Sequence, residues 1–156
     1  MGETADLSPT IVDALYGEAL ALADEARAAF DLSGRLTLAS EDEDLARIAL
    51  SCEALRTTTR MMHAIAWLLN QRAYFAGELS EFQLRRHGRL PPRQGDAAPD
   101  NIAILGPRLA DLIERTRRFY ARVERLDRAW RDHFAMHPAA IHRLRERLGH
   151  AVAHLS

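Results

Sequence analysis

Between Leu45 and Ala73, apolar or small side chains recur at alternating steps of three and four: Leu45, Ile48, Cys52, Leu55, Thr59, Met62, Ala66, Leu69 and Ala73. Strands place one face at every second residue, so this spacing is incompatible with a sheet and matches a helix of unusual regularity. The helix is expected from about Glu41 to Ala76. Ser40 and Glu43 form a capping box at its start, and Gly77 serves as the residue beyond its end. The stripe is read as the inward face, with Cys52 on it as a small buried hydrophobe. A second stripe, Ala54, Thr58, Met61, Ile65, Leu68 and Phe75, with Arg72 interrupting it, makes the helix apolar nearly all round between Met61 and Leu69. Such a helix needs neighbours on several sides. In 156 residues some of those neighbours are expected from a second subunit, with Met61, Ile65, Leu68 and Phe75 as a dimer or multi-helix core.

The flanking segments repeat the helical pattern. Ser8-Pro9 opens a first helix whose stripe is Val12, Leu15, Ala19, Leu22, Ala26 and Ala29, stopped at Ser33-Gly34. Ser80 to Arg86 fits one or two helical turns, and Leu90 to Pro99 reads as a loop because of its prolines and glycine. A third long helix starts near Pro107, with Leu105, Leu109, Leu112, Thr116, Phe119, Val123, Leu126, Trp130 and His133 facing inward, and His137-Pro138 ends or bends it. A last helix from Ala139 carries Ile141, Leu144, Leu148, Val152 and Leu155. The expectation is all-α: an antiparallel three-helix bundle with long second and third helices plus a short C-terminal helix. It forms one domain over residues 1–156, with a flexible loop at about 87–101.

Residues 1–78 hold 6 Arg against 13 acids, and residues 79–156 hold 15 Arg against 9. The imbalance suits an anionic partner or complementary helices packed together. A nucleic-acid role is the rival reading, but Asp111–Arg115, Glu114–Arg118, Glu124–Arg128 and Asp127–Arg131 place an acid four residues before each arginine. Arginines paired in this way on a solvated face make a poor phosphate footprint. Neither a secretory signal pattern nor an apolar run of membrane-spanning length occurs, so a cytoplasmic, non-membrane protein is expected.

No catalytic or cofactor-binding pattern emerges. With one cysteine, the chain forms no internal disulfide and no multi-thiolate metal site. His133 with His137 and His150 with His154 have helical ligand spacing but lack further ligands, and no Glu-x-x-His sequence supports a di-iron centre. The chain is therefore expected to be non-enzymatic, without metal or cofactor. The run Arg56-Thr57-Thr58-Thr59-Arg60 places β-branched residues mid-helix. It suits either close packing through small hydroxyl side chains or an exposed strip in which the arginines flank Thr57, with Asn70, Gln71 and Tyr74 further along.

Three segments carry a family resemblance: Ser51-Cys52-Glu53-Ala54-Leu55-Arg56-Thr57-Thr58-Thr59-Arg60-Met61-Met62, then Ala66-Trp67-Leu68-Leu69-Asn70-Gln71-Arg72-Ala73 with Gly77-Glu78, and Ala21 to Phe30 in the first helix. Together they resemble the RcdA family, regulators of CtrA degradation in alphaproteobacteria, over about residues 10–135. The resemblance implies a homodimeric three-helix bundle acting as an adaptor. Such adaptors dock on the ClpX unfoldase with its priming regulator and deliver cargo proteins to the ClpXP protease in a cell-cycle-linked way. Partner-binding residues are expected among the polar side chains of this segment: Arg56, Arg60, Gln71, Arg72 and Glu78. The alternatives are a nucleic-acid-associated regulator and a purely structural dimeric scaffold. The family's polar C-terminal tail is not matched here, since Ala139 to Leu155 patterns as a helix.

Overall fold

The computed structural model describes residues 7–38, 44–93, 95, 99–135 and 138–155. Among them every regular element is helical: α1 (Pro9–Leu38), α2 (Asp44–Phe75), α3 (Glu81–His87), α4 (Pro99–Leu105), α5 (Pro107–Ala135) and α6 (Pro138–Ala153). The Ser40–Glu43 capping box lies outside the described residues.

Ser8 Oγ accepts from the Ile11 backbone N–H at the start of α1, satisfying one of the donors a helix start leaves open. All six residues of the expected α1 stripe are buried. The helix does not stop at Ser33-Gly34 but continues to Leu38. A glycine inside a helix costs only about 1 kcal/mol, and packing overrides that. A Cβ at Gly34 would lie 3.9 Å from the Leu50 side chain, an ordinary packing contact with α2.

Cross-helix contacts fix the directions. Gly34 meets Leu50 near one end of the α1–α2 pair, and Asp13 meets Arg72 at 3.0 Å near the other, so α1 and α2 are antiparallel. Glu25 pairs with Arg115 at 2.7 Å and Glu18 with Arg122 at 2.8 Å, so α5 is antiparallel to α1 as well. Consequently α2 and α5 run in the same direction. This corrects the expectation of antiparallel neighbours throughout, and its cause is the segment between the two helices, which recrosses the molecule. That segment turns at Gly77 (φ 79°), where the Glu78 N–H returns to the Ala73 carbonyl at 2.9 Å, a glycine-terminated helix end. A Ser80–Gln83 capping box starts α3, Leu84 and Leu90 are buried, and the Tyr120 hydroxyl donates to the Pro91 carbonyl. Arg93 clasps Glu124 with distances of 3.0 and 3.2 Å. The expected loop at 87–101 is thus tied to α5 at two points, and its last residues belong to α4, which packs on α2 and joins α5 through Gly106 (φ 85°).

At Gly88, which closes α3, a Cβ would stand 2.6 Å from the Leu84 carbonyl oxygen. Gly88→Ala is therefore expected to lower stability by about 1–3 kcal/mol, read as a urea midpoint shift.

The core lies between α1, α2 and α5. From α5 it takes Leu109, Leu112, Ile113, Phe119, Tyr120 and Val123, and from α2 Met61, Ala64, Trp67 and Leu68. Thr116 is buried with them, as its place in the α5 stripe predicts, while Leu105 and Leu126 are partly buried. His133 and His137 lie outside the described side chains.

Candidate functional site

Helix α2 presents two unlike faces, and their assignment reverses the sequence expectation. The inward face is partly polar: Glu53, Thr57 and Gln71 are buried beside Met61, Ala64, Trp67 and Leu68. Thr57 Oγ1, Gln71 Oε1 and one Glu53 oxygen are buried without a hydrogen-bond partner, whereas the other polar groups on this side are paired. Arg60 donates to Thr116 Oγ1 at 2.9 Å, while that hydroxyl donates to the Ile113 carbonyl at 2.7 Å. Trp67 Nε1 donates to Asp127 Oδ1 at 2.9 Å, and Arg131 Nε closes on the same carboxylate at 3.1 Å. Glu53, wholly buried, accepts from Arg56 Nη1 at 3.0 Å.

The outward face is the regular stripe. Leu45, Ile48, Leu55, Met62 and Leu69 are 44–77% exposed. Cys52 and Ala66 are exposed with them, and Thr59 and Ala73 are half-buried. Cys52 is therefore not a core residue: it sits on a face turned away from α1 and α5. The unbroken three-four alternation makes this face a heptad seam of the kind that pairs helices.

The expected partner-binding residues do not form one surface. Thr57 and Gln71 are buried rather than exposed, because their side of α2 faces the packed interior. Arg56 and Arg60 are half-buried and held by Glu53 and Thr116. Arg72 finds the partner its place demanded, pairing with Asp13 and stacking 4.5 Å over the Tyr16 ring. Glu78 is exposed in the turn after α2. Of the expected dimer or multi-helix core, Met61 and Leu68 are buried inside this subunit, Ile65 packs against its core, and Phe75 is 37% exposed. Sequence reasoning missed the roles of Trp67, Asp127 and Glu53. Asp127 had a signal in its acid-before-arginine spacing with Arg131, but that spacing pointed to the surface rather than to a buried hydrogen bond.

The arginines of α5 are largely answered by acids. Arg115 and Arg122 reach across to Glu25 and Glu18 on α1. Arg118 lies 3.9 Å from Glu114, Arg128 3.7 Å from Glu124 and Arg131 3.1 Å from Asp127. The charge difference between the chain's halves is thus used in packing α1 against α5. The fork from Arg115 holds the Glu25 carboxyl below its usual range, the hydrogen bond being the main cause. A depressed folded-state pKa gives stability that is present above the unfolded value and lost as pH falls through the folded one. The gap in urea midpoint between wild type and Glu25→Gln is therefore expected to be constant near neutrality and to close below about pH 4. Because the pair is exposed, the gap is small and shrinks with salt.

Among the described residues no cluster of three metal-ligating side chains occurs, and no helix is long and apolar enough to cross a membrane. His150 on α6 and His154 just beyond its end are exposed, as are Leu144, Leu148 and Val152 on α6 and Leu155 after it. Fold and surface together define an all-α protein with an acid–base-matched helix pair and an uncovered apolar heptad face. The chain belongs to the family described as a protein of unknown function, DUF1465, which it matches over residues 3–152. No curated protein and no solved structure matches it.

Proposed function

We propose that the protein is a non-enzymatic, homodimeric adaptor of the cytoplasm that delivers cargo proteins to the ClpXP protease for regulated, cell-cycle-linked degradation. The family role comes from the resemblance of the Ser51–Ala73 segment and the first helix to RcdA. The observation that carries a protein-binding role is the outward stripe of α2, where five large apolar side chains stand exposed along one helix. Contiguous exposed apolar surface of this kind marks an interaction site. The scaffold in this reading is a bundle of three long helices, and the mechanism is tethering. An adaptor raises the effective concentration of cargo beside the unfoldase and needs no chemistry of its own. With Arg56, Arg60 and Gln71 committed to internal contacts, Arg72 and Glu78 remain as exposed polar groups at the far end of α2.

The test is affinity capture from native cells with mild cross-linking, paired with proteome-wide half-lives in a deletion strain. Recovery of ClpX or its priming regulator, with a small set of proteins stabilised at least about fivefold, is the expected result; a fivefold change corresponds to about 1 kcal/mol of tethering advantage. Capture of neither, with all half-lives unchanged, would leave the scaffold and remove the adaptor role.

A further inference from the structure

The uncovered α2 face has a composition that selects its occupant. Written as heptads, the outward positions alternate between small residues at one core site (Cys52, Thr59, Ala66) and large ones at the other (Ile48, Leu55, Met62, Leu69), with Leu45 at the start. In a parallel pair, like sites meet. Cys52, Thr59 and Ala66 would each face themselves, and those layers would be underfilled between layers of large side chains. Reversing one helix sets Cys52, Thr59 and Ala66 each against a large side chain, which fills those layers and leaves two leucines paired in the end layer.

We infer that two copies of this chain pair through α2 in an antiparallel coiled coil, in the register Leu45 on Leu69, Ile48 on Ala66, Cys52 on Met62 and Leu55 on Thr59 of the second copy. This deepens the dimeric part of the proposed function and rests on it. The register is the one that engages the whole exposed span from Leu45 to Leu69, and its twofold axis passes close to Thr57. The five large side chains expose roughly 600 Å² per copy, so covering them completely in both copies removes about 1,200 Å², the lower bound of a stable interface. The same register brings Asp44 at the start of one α2 near the level of Arg72, which also pairs with Asp13 of its own subunit at 3.0 Å, at the end of the other, twice over. Near the axis Arg56 approaches its own copy, a juxtaposition relieved by its ion pair with Glu53 at 3.0 Å.

The single native cysteine makes the geometry testable. In the antiparallel register the two Cys52 thiols are ten residues out of step, about 15 Å along the helix axis, too far to join. In a parallel pair they share a layer. Full-length wild type, M62C and C52S/M62C are each checked for helicity, sized by light scattering, and treated with a thiol–thiol linker that reaches across one coiled-coil layer but not three. The expected result is a dimer mass for all, with covalent dimer at least fivefold more abundant in M62C than in the other two. Efficient linkage of wild type, or of C52S/M62C, would establish parallel pairing and overturn the inference. A dimer in which M62C links no better than wild type would overturn it too, by placing the interface elsewhere or in another register. A monomer mass would remove the dimeric reading itself.

Discussion

Glutamate at Leu68 is expected to abolish folding, whereas glutamate at Leu55 leaves the monomer folded and removes the proposed dimer. Leu68 is fully buried between α2 and its neighbours, with Trp67 and Met61 in the same cluster. A carboxylate there loses its hydration and gains no partner, and even the smallest realistic cost, about 4 kcal/mol, approaches the lower end of the 5–15 kcal/mol that holds a domain together. Leu55 lies only thirteen positions earlier on the same helix but is 69% exposed, so the monomer has no reason to resist the substitution. In the proposed pair two such carboxylates would be buried near the twofold axis, weakening association at least about 100-fold, or about 3 kcal/mol. Circular dichroism melts and light scattering on the two variants separate these effects. An L68E protein that melts like wild type would refute the assignment of the inward face. An L55E protein that unfolds would show that the outward stripe supports the monomer.

The second large effect is expected at Trp67, which couples α2 to α5. It is almost wholly buried, and its indole donates to Asp127 at 2.9 Å. Trp67→Ala removes a large packed volume and is expected to cost about 3–5 kcal/mol. Trp67→Phe keeps most of the ring and isolates the hydrogen bond. Asp127 then retains Arg131, so the expected loss is about 1–2 kcal/mol. Urea denaturation of the two variants reads both values. A Trp67→Phe protein as unstable as Trp67→Ala would mean that the polar link between α2 and α5 outweighs the packing.

Much of the fold is legible in the chain because α1 and α5 each have one apolar stripe. Val12 through Ala29 and Leu109 through Val123 could be buried only one way, and both are. The helix ends were less legible. Gly34 carries a stop signal, yet α1 runs through it to Leu38, the cost of a helical glycine being small beside the packing of α1 on α2. Helix α4 has no sequence signal strong enough to distinguish it from the proline-rich loop before it.

Helix α2 was misread for a specific reason. The regular stripe of Leu45 to Ala73 outranks, by apolar content, the face that carries Glu53, Thr57, Gln71 and Trp67, and pattern reasoning sends the more apolar face inward. Local sequence holds no trace of the groups that make the mixed face tolerable inside. Thr116 lies 56 positions from Arg60, and Asp127 lies 60 from Trp67. The candidate site was therefore present in the sequence as a stripe but not as a surface.

What the sequence determined alone is the helical period, the number of apolar faces on each long helix and the opposite charge of α1 and α5. These follow from side-chain spacing and charge, which are local properties of the chain. Which face of α2 meets the core, and that α2 and α5 run in the same direction, were decided only in the tertiary structure. A buried polar group is stable when a distant residue completes its hydrogen bonds, and that completion exists only once the helices have packed.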